Sequence, residues 1–194
     1  TLQSPETSLG FLDRFLACCE ADNIPVLILF NKIDLLNFEE VELVEELQAM
    51  YENLGYQTLQ VSSAEKLNLD KLQEILKDKT CVFFGHSGAG KSTLANALQP
   101  DLNLKTNEIS ETHNKGKHTT TFAQMHFWHF GGAVIDTPGV REFAMIDVEK
   151  EEIQHYFPEI FEKGRECKFH NCKHINEPKC AVLEALETGE ILES

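Results

Sequence analysis

Residues 85–93 read GHSGAGKST, and residue types with this spacing can hold the phosphate groups of a nucleotide. The backbone N–H groups of such a loop point inward, and the positive end of the helix that follows attracts phosphate oxygens. Lys91 would bring its charge to the β and γ phosphates, and Ser92 its hydroxyl to Mg²⁺. The alternative is a glycine-rich turn without a ligand, which the Lys-Ser pair after the apolar run CVFF disfavours. The predicted nucleotide-binding residues of this loop are Gly85, Ser87, Gly88, Ala89, Gly90, Lys91, Ser92 and Thr93.

An NKID tetrad lies earlier in the chain, at residues 31–34, directly after the apolar run IPVLILF. The carboxylate of Asp34 can accept hydrogen bonds from both the N1–H and the 2-amino group of guanine, whereas adenine offers neither donor there. Asn31 can join this segment to the phosphate loop and bond the base, and the stem of Lys32 can lie over the purine. Taken alone, the tetrad is also compatible with a loop that merely starts a helix.

A second segment suited to base recognition follows the next predicted strand and contains Ser62, Ser63 and Ala64. A backbone N–H of this SSA segment is placed to donate to the O6 atom of guanine. The pattern is short, so an ordinary turn is an equally good interpretation of these residues by themselves.

Two further segments contain groups suited to Mg²⁺ and to a γ-phosphate. In DTPG, residues 136–139, Asp136 is predicted to hold Mg²⁺ through water and the N–H of Gly139 to contact the γ-phosphate. Alone, this segment would be interpreted as an Asp-initiated Pro-Gly turn. GKHTTT, residues 116–121, ends a polar segment over residues 100–121 that predicts a long functional loop. One of Thr119, Thr120 or Thr121 is a candidate ligand for both Mg²⁺ and the γ-phosphate, and the choice among them stays open.

A cysteine and histidine cluster near the end of the chain has the spacing C-x4-C-x-H-x5-C, formed by Cys167, Cys172, His174 and Cys180. Three thiolates and one imidazole complete a tetrahedron, which suits one structural Zn²⁺ with no open catalytic position. A disulfide or free thiols are the alternative, and His170 is an alternative ligand. A reducing compartment disfavours the disulfide.

Hydrophobic periodicity predicts the elements that must position these segments. Strands alternate with helices, and such a rhythm produces an open, mostly parallel α/β sheet with its ligand at the carboxyl ends of the strands. Gly131 and Gly132 predict a two-residue hairpin turn between the last two strands. The predicted helices cover residues 8–21, 39–54, 69–76, 92–98 and 180–187, and the predicted strands residues 24–30, 58–63, 80–84, 122–130 and 133–136.

The composition is that of a globular protein, with 42% hydrophobic and 25% charged residues. The formal net charge is −15, from 17 Lys and Arg against 32 Asp and Glu, which is unlike a dedicated nucleic-acid binder; any RNA contact must be local. No apolar run approaches the ~18 residues that a membrane span needs, and no export signal is evident. We therefore expect a cytoplasmic protein without a membrane partner. The start at Thr1 suggests that an upstream segment is missing.

In their order along the chain, the NKID, SSA, GHSGAGKST, GKHTTT and DTPG segments resemble those of circularly permuted GTPases. With the cysteine cluster after them, nearly the whole chain resembles the RsgA (YjeQ) family of ribosome small-subunit-dependent GTPases. Family members begin with an OB-fold RNA-binding domain, which is absent here. Ser63 stands where the family more often has Ala, and we expect little effect because the backbone would make the contact.

The resemblance implies a circularly permuted P-loop GTPase fold over residues 1–147, followed over residues 148–194 by a small zinc-binding module of short helices. It implies GTP and GDP, Mg²⁺ and one structural Zn²⁺ as bound groups. The implied partner is the small ribosomal subunit, through its rRNA and ribosomal proteins, and the expected state is a monomer. The implied function is a GTP-hydrolysing switch that assists small-subunit maturation and is stimulated by the subunit.

Val140 follows DTPG, where switches such as Ras place a water-orienting glutamine. Valine cannot orient water, so we expect slow intrinsic hydrolysis, with His118 as the nearest candidate for assistance. An exposed loop imidazole is the alternative interpretation of His118. The predicted catalytic residues are His118, Lys91, Thr119, Thr120 and Gly139. The alternative functions are an ATP-using P-loop ATPase or kinase, and a non-enzymatic zinc adaptor with a vestigial nucleotide site.

Overall fold

A computed structural model of the chain describes residues 1–3, 6–104, 123–136 and 152–191; for Asp136 it describes the backbone alone. The chain divides into two compact units. The first comprises Thr1–Thr7, Leu27–Glu52 and Gln57–Glu142, and the second Ser8–Val26, Asn53–Tyr56 and Phe143–Ser194. The domain boundary predicted after residue 147 stays a prediction. The second unit, which contains the end of the chain, also includes Ser8–Val26 from near its start.

The described elements alternate between helix and strand as the periodicity predicts. Short 3-10 turns cover Ile33–Leu35, Pro100–Leu102 and Ile153–Tyr156. The helices are α1 Leu9–Ala21, α2 Phe38–Asn53, α3 Leu69–Leu76, α4 Lys91–Leu98, α5 Pro158–Gly164 and α6 Ala181–Glu187. The strands are β1 Leu27–Asn31, β2 Gln57–Val61, β3 Lys79–Val82, β4 Gln124–Phe127 and β5 Gly132–Asp136. Among these described helices, none is both long and apolar enough to cross a bilayer.

Strand pairing is mostly parallel. β1 pairs with β2 in parallel, and β3 pairs with β5 in parallel, while β4 adds to the other edge of β5 in the antiparallel sense. Within the described residues these ladders form two sheets, in the orders β1-β2 and β3-β5-β4. The mixed α/β class with predominantly parallel pairing is thus confirmed.

One hydrophobic cluster in the first unit packs the elements on either side of the predicted phosphate loop. It combines the inner faces of α3 and α4 with Val61 of β2 and Val134 of β5. Helix α4 contributes Leu94, Ala95 and Leu98, which are spaced to lie on one helical face. Burial of that face holds α4 in position. The phosphate loop leads directly into the first turn of this helix.

Two local predictions were wrong in detail. The first strand begins at Leu27 rather than at residue 24, since Pro25 has no N–H for a ladder and Ile24 is 53% exposed. The β4–β5 turn is not centred on the two glycines. The N–H of Gly131 bonds the carbonyl of Trp128 at 3.2 Å, so His129 and Phe130 are the central residues. Gly131 and Gly132, with φ of 93° and 81°, follow the turn, where a Cβ on Gly132 would lie 2.1 Å from the Lys79 carbonyl oxygen.

Candidate nucleotide and metal sites

The phosphate loop connects β3 to α4 and depends on glycines with positive φ. Gly85, Gly88 and Gly90 have φ values of 146°, 86° and 94°, a region that side chains with a Cβ rarely adopt. Lys91 is the first residue of α4, and its ammonium donates to the carbonyl oxygens of Gly85 and His86 at 2.7 and 2.8 Å. The lysine charge is therefore held over the loop, at the positive end of the helix, where phosphate oxygens bind.

The NKID segment lies against the phosphate loop, although it comes from the other described sheet. Asn31, the last residue of β1, is 9% exposed, and its amide nitrogen donates to the Ala89 carbonyl at 3.0 Å. Lys32, with φ of 68°, directs its ammonium to the Gly88 carbonyl at 2.8 Å. The contact is close, because a Cβ added to Gly90 would lie 2.5 Å from the Asn31 amide nitrogen. The NKID segment, which comes before the phosphate loop in the chain, thus lies beside it in the structure.

The SSA segment joins the same site through its side chains. Ser62 is fully buried, and its hydroxyl donates to the Asp34 carboxylate while accepting the Glu65 N–H at 3.0 Å. The Ser63 hydroxyl donates to the amide oxygen of Asn31 at 3.1 Å. These contacts hold both the aspartate and the asparagine in a defined orientation.

Sequence reasoning assigned a backbone role to this segment and missed the hydroxyl contacts. The available signal was the register of two parallel strands. Asn31 pairs with Val61, so a serine directly after Val61 falls beside the segment that follows Asn31. Hydroxyls at that position are suitable donors for an amide oxygen and a carboxylate.

The predicted γ-phosphate and catalytic groups are described only in part. His118, Thr119, Thr120 and Gly139 lie outside the described residues, as do Thr121 and Val140. Asp136 is the last residue of β5, and Ile135 pairs in parallel with Val82, three residues before the loop glycine Gly85. The register therefore brings the end of β5 to the sheet edge from which the phosphate loop departs.

The predicted metal ligands converge in the second unit. One ligand atom from each of Cys167, Cys172, His174 and Cys180 lies within 4.8 Å of all the others. The Nδ1 atom of His174 is 3.2 Å from the Cys180 sulfur and 3.7 Å from the Cys167 sulfur, and those two sulfurs are 3.9 Å apart. A tetrahedral ion with Zn–S bonds of about 2.3 Å places two sulfurs roughly 3.8 Å apart, so the donor set fits Zn²⁺.

The surroundings of this cluster also suit a structural site. Cys172 and Cys180 are both 4% exposed, and they pack with Val182 and neighbouring apolar side chains. Cys180 also caps α6, because its sulfur accepts the Leu183 N–H at 3.4 Å. His170 is not a member of the group of four convergent ligands.

Sequence reasoning missed Glu177 in the loop between the last two ligands. Its carboxylate accepts the backbone N–H groups of Lys173, Ile175 and Asn176. These bonds, the one from Lys173 foremost, lower the pKa of Glu177 to about 2. A glutamate a few residues after the histidine was the only sequence signal, and it does not distinguish such a carboxylate from a solvated one.

A family model described as RsgA GTPase matches residues 1–146. Small ribosomal subunit biogenesis GTPase RsgA from Christiangramia forsetii is 48% identical over 191 residues, which cover 98% of this chain and 61% of the relative. The protein of the same name from Flavobacterium psychrophilum is 50% identical over 193 residues, covering 98% of this chain and 59% of the relative. The chain thus spans about 60% of the length of these relatives.

Two crystal structures resemble the fold closely. YjeQ from Thermotoga maritima has a TM-score of 0.83 at 38% identity, over 99% of this chain and 63% of its own. YloQ, described as a circularly permuted GTPase, has a TM-score of 0.74 at 36% identity, over 98% of this chain and 60% of its own. The predicted fold class and the suspected relationship are both confirmed: the chain belongs to the RsgA GTPase family.

Proposed function

We propose that this chain is the GTP-binding and GTP-hydrolysing part of a factor that assists maturation of the small ribosomal subunit. The main supporting observation is the bond from Asn31 to the Ala89 carbonyl, together with the adjacent pair of Lys32 and Gly88. A base-reading segment and a phosphate loop in direct contact can bind the two ends of one nucleotide.

Guanine is the base that the aspartate favours. Ser62 donates to one oxygen of Asp34 and holds the side chain, and the carboxylate retains acceptor capacity for the N1–H and 2-amino groups. Adenine would leave that acceptor without donors, a mismatch that costs about 1–3 kcal/mol or more for a charged group. In an ATP-using kinase or ATPase, the carboxylate would therefore make no hydrogen bond to the base.

Hydrolysis would depend on charge stabilisation around the β and γ phosphates. Lys91 supplies a cation and the loop supplies backbone N–H groups. Ser92 and Asp136, with Thr119 or Thr120, are the proposed residues for Mg²⁺, which would neutralise charge on the phosphates when bound. Gly139 is the proposed γ-phosphate contact and His118 the proposed assistant of water attack. Mutagenesis of each of these residues tests its proposed role.

The zinc-type cluster is proposed to hold one structural Zn²⁺. Its donors, three thiols and the Nδ1 atom of His174, leave no position for a substrate. In this proposal, residues after about 148 form a module that helps the protein dock on rRNA or ribosomal protein, and the protein acts as a cytoplasmic monomer. The relatives' name, small ribosomal subunit biogenesis GTPase, supports the choice of partner.

Nucleotide competition and turnover test the proposal in sequence. GTP is expected to displace a fluorescent guanine nucleotide far better than ATP does, and tighter ATP binding would contradict the base assignment. Single-turnover GTP hydrolysis is then measured while small subunits are titrated in, with Lys91→Ala as the inactive control. Stimulation supports the assembly role, whereas binding without any hydrolysis would favour a non-enzymatic adaptor.

A further inference from the structure

Glu177 makes an unusual set of contacts for a partly exposed carboxylate. Its Oε1 atom accepts the Lys173 N–H at 2.9 Å, and its Oε2 atom accepts the N–H groups of Ile175 and Asn176 at 2.9 and 3.0 Å. All of these donors are backbone groups of one loop. The carboxylate therefore closes the loop onto itself rather than bridging to another element.

The loop contains a metal ligand with a strained backbone. His174 has φ of 58°, in the left-handed region that is sterically unfavourable for a residue with a Cβ. Such a conformation persists only where the surroundings enforce it. The Glu177 bonds reach the residues on either side of His174: the Ile175 N–H belongs to the peptide group that directly follows His174, and the Lys173 N–H belongs to the residue before it. They therefore hold the chain on both sides of the histidine.

The backbone of His174 sets where its imidazole ring starts from, and hence how the ring lies relative to the thiols. The Nδ1 atom of His174 faces the sulfurs of Cys180 and Cys167. The other side of the ring approaches α5, where a Cβ on Gly164 would lie 3.4 Å from Nε2. A change in the His174 backbone would therefore move the ring, and its Nδ1 atom, away from this position between the thiols and α5.

We propose that Glu177 is a positioning residue of the metal site, which sets the backbone of His174 so that Nδ1 points at the three thiols. This inference rests on the proposed zinc site, but not on GTP hydrolysis. Because the backbone donors keep the pKa of Glu177 near 2, the carboxylate is an acceptor on both oxygens at neutral pH.

The sharpest variant is Glu177→Gln. It preserves size and shape but replaces one acceptor oxygen with an NH₂ group, which would oppose a backbone N–H. Glu187→Gln, an exposed glutamate on α6 of the same module, is the matched control. Loss of a group that orients a metal ligand typically lowers metal affinity by about 10- to 100-fold, and Glu177 would act on His174 through the backbone of its neighbours.

The experiment measures zinc release from the purified full chain in excess chelator. Zinc loss from Glu177→Gln is expected to be about 10- to 100-fold faster than from the wild type, with Glu187→Gln close to the wild type. Zinc retention equal to that of the control would overturn the inference. A wild-type chain that binds no zinc would instead remove the metal site itself, and the inference with it.

Cobalt substitution separates a positioning role from general loss of structure. The thiolate charge-transfer bands of Co²⁺ are expected to remain in Glu177→Gln, while the ligand-field bands change because the imidazole no longer binds. Loss of the thiolate bands as well would mean that the loop has unfolded, and would contradict a role confined to His174.

Discussion

The side-chain amide of Asn31 donates a hydrogen bond of 3.0 Å to the carbonyl oxygen of Ala89, 58 residues further along the chain. Asn31 ends a strand and Ala89 belongs to a loop that starts a helix, so the contact joins two elements that differ in secondary structure and sheet. Since a site of this kind is closed by contacts in space, the order of its parts along the chain can be inverted without loss of geometry.

The closeness of this contact predicts the effect of Gly90→Ala. The new Cβ would lie 2.5 Å from the Asn31 amide nitrogen, and Asn31 cannot yield without losing its bond to Ala89. We expect about a tenfold loss of GTP affinity in a competition titration, as for a lost neutral hydrogen bond with added strain. Gly55→Ala is the matched control, because Gly55 has the same φ of 94° with open space around it. Equal GTP affinity for the two variants would mean that the Asn31 contact is unimportant.

Asp34→Asn is expected to change the base that is bound. An amide offers one acceptor and one donor where guanine needs two acceptors, so GTP affinity is expected to fall by roughly 10- to 150-fold. Xanthosine triphosphate, whose 2-oxo group can accept from the new amide, is expected to gain affinity. Competition titrations with GTP, ATP and xanthosine triphosphate measure this change, with the exposed Asp101→Asn as control. A variant that still selected guanine would contradict the role of Asp34.

Ser63→Ala tests a hydroxyl that was expected to matter little. Without the bond at 3.1 Å, the amide of Asn31 loses the donor that fixes its oxygen end. Nucleotide release is expected to accelerate by about 3- to 10-fold, the range for one neutral hydrogen bond. Ser63→Thr retains the hydroxyl and is expected to restore slow release in a stopped-flow chase. Equal nucleotide release rates for Ser63→Ala and Ser63→Thr would mean that the hydroxyl contact does not affect nucleotide binding.

Removal of the metal is expected to act on the second unit. Its cysteine cluster packs a small set of apolar residues, so a bound ion would provide much of its folding energy. Metal analysis is expected to find one zinc per chain, and chelation to lower protection from hydrogen exchange over residues 152–191. Cys172→Ser, in a buried ligand, is expected to reproduce the effect without chelator. Unchanged exchange protection after zinc removal would contradict the structural role.

The carboxyl group of Glu159 in α5 is expected to make the stability of the protein depend on pH. Burial raises the pKa of this carboxyl group. A hydrogen bond from the residue's own backbone N–H opposes this effect in part, and the nearby Asp13 adds a smaller rise. One oxygen is buried and has no hydrogen-bond partner among the described residues. Above the ordinary value of 4.5 the native state therefore holds more protons than the unfolded state, and stability falls as pH rises toward the raised pKa.

Glu159→Gln removes this pH dependence. The variant is expected to be more stable than the wild type at about pH 8, and the difference is expected to shrink toward about pH 5. Urea titrations at the two pH values measure it, with Glu187→Gln as the exposed control. A stability difference that did not depend on pH would show that the carboxyl group does not titrate in this way.

Much of the molecule was predictable because short motifs specify local chemistry. Apolar periodicity located α3 at Leu69–Leu76, and the spacing of GHSGAGKST located the loop that leads into α4. The hairpin was predicted less well. Two glycines are compatible with the centre of a tight turn and also with the residues just after a turn. The backbone hydrogen bonds of Trp128 to Gly131 and Gly132 place them after the turn.

The sequence alone determined which ligand types to expect: a guanine for a carboxylate, phosphates for a lysine and backbone N–H groups, and a metal for three thiols with an imidazole. These are chemical properties of side chains at fixed spacing, and they hold before any folding. The tertiary structure alone decided that Ser63 orients Asn31 and that Glu177 brackets His174. A hydroxyl or a carboxylate can bond many groups, and only the packing of strands and the closure of a loop determine which one lies within reach.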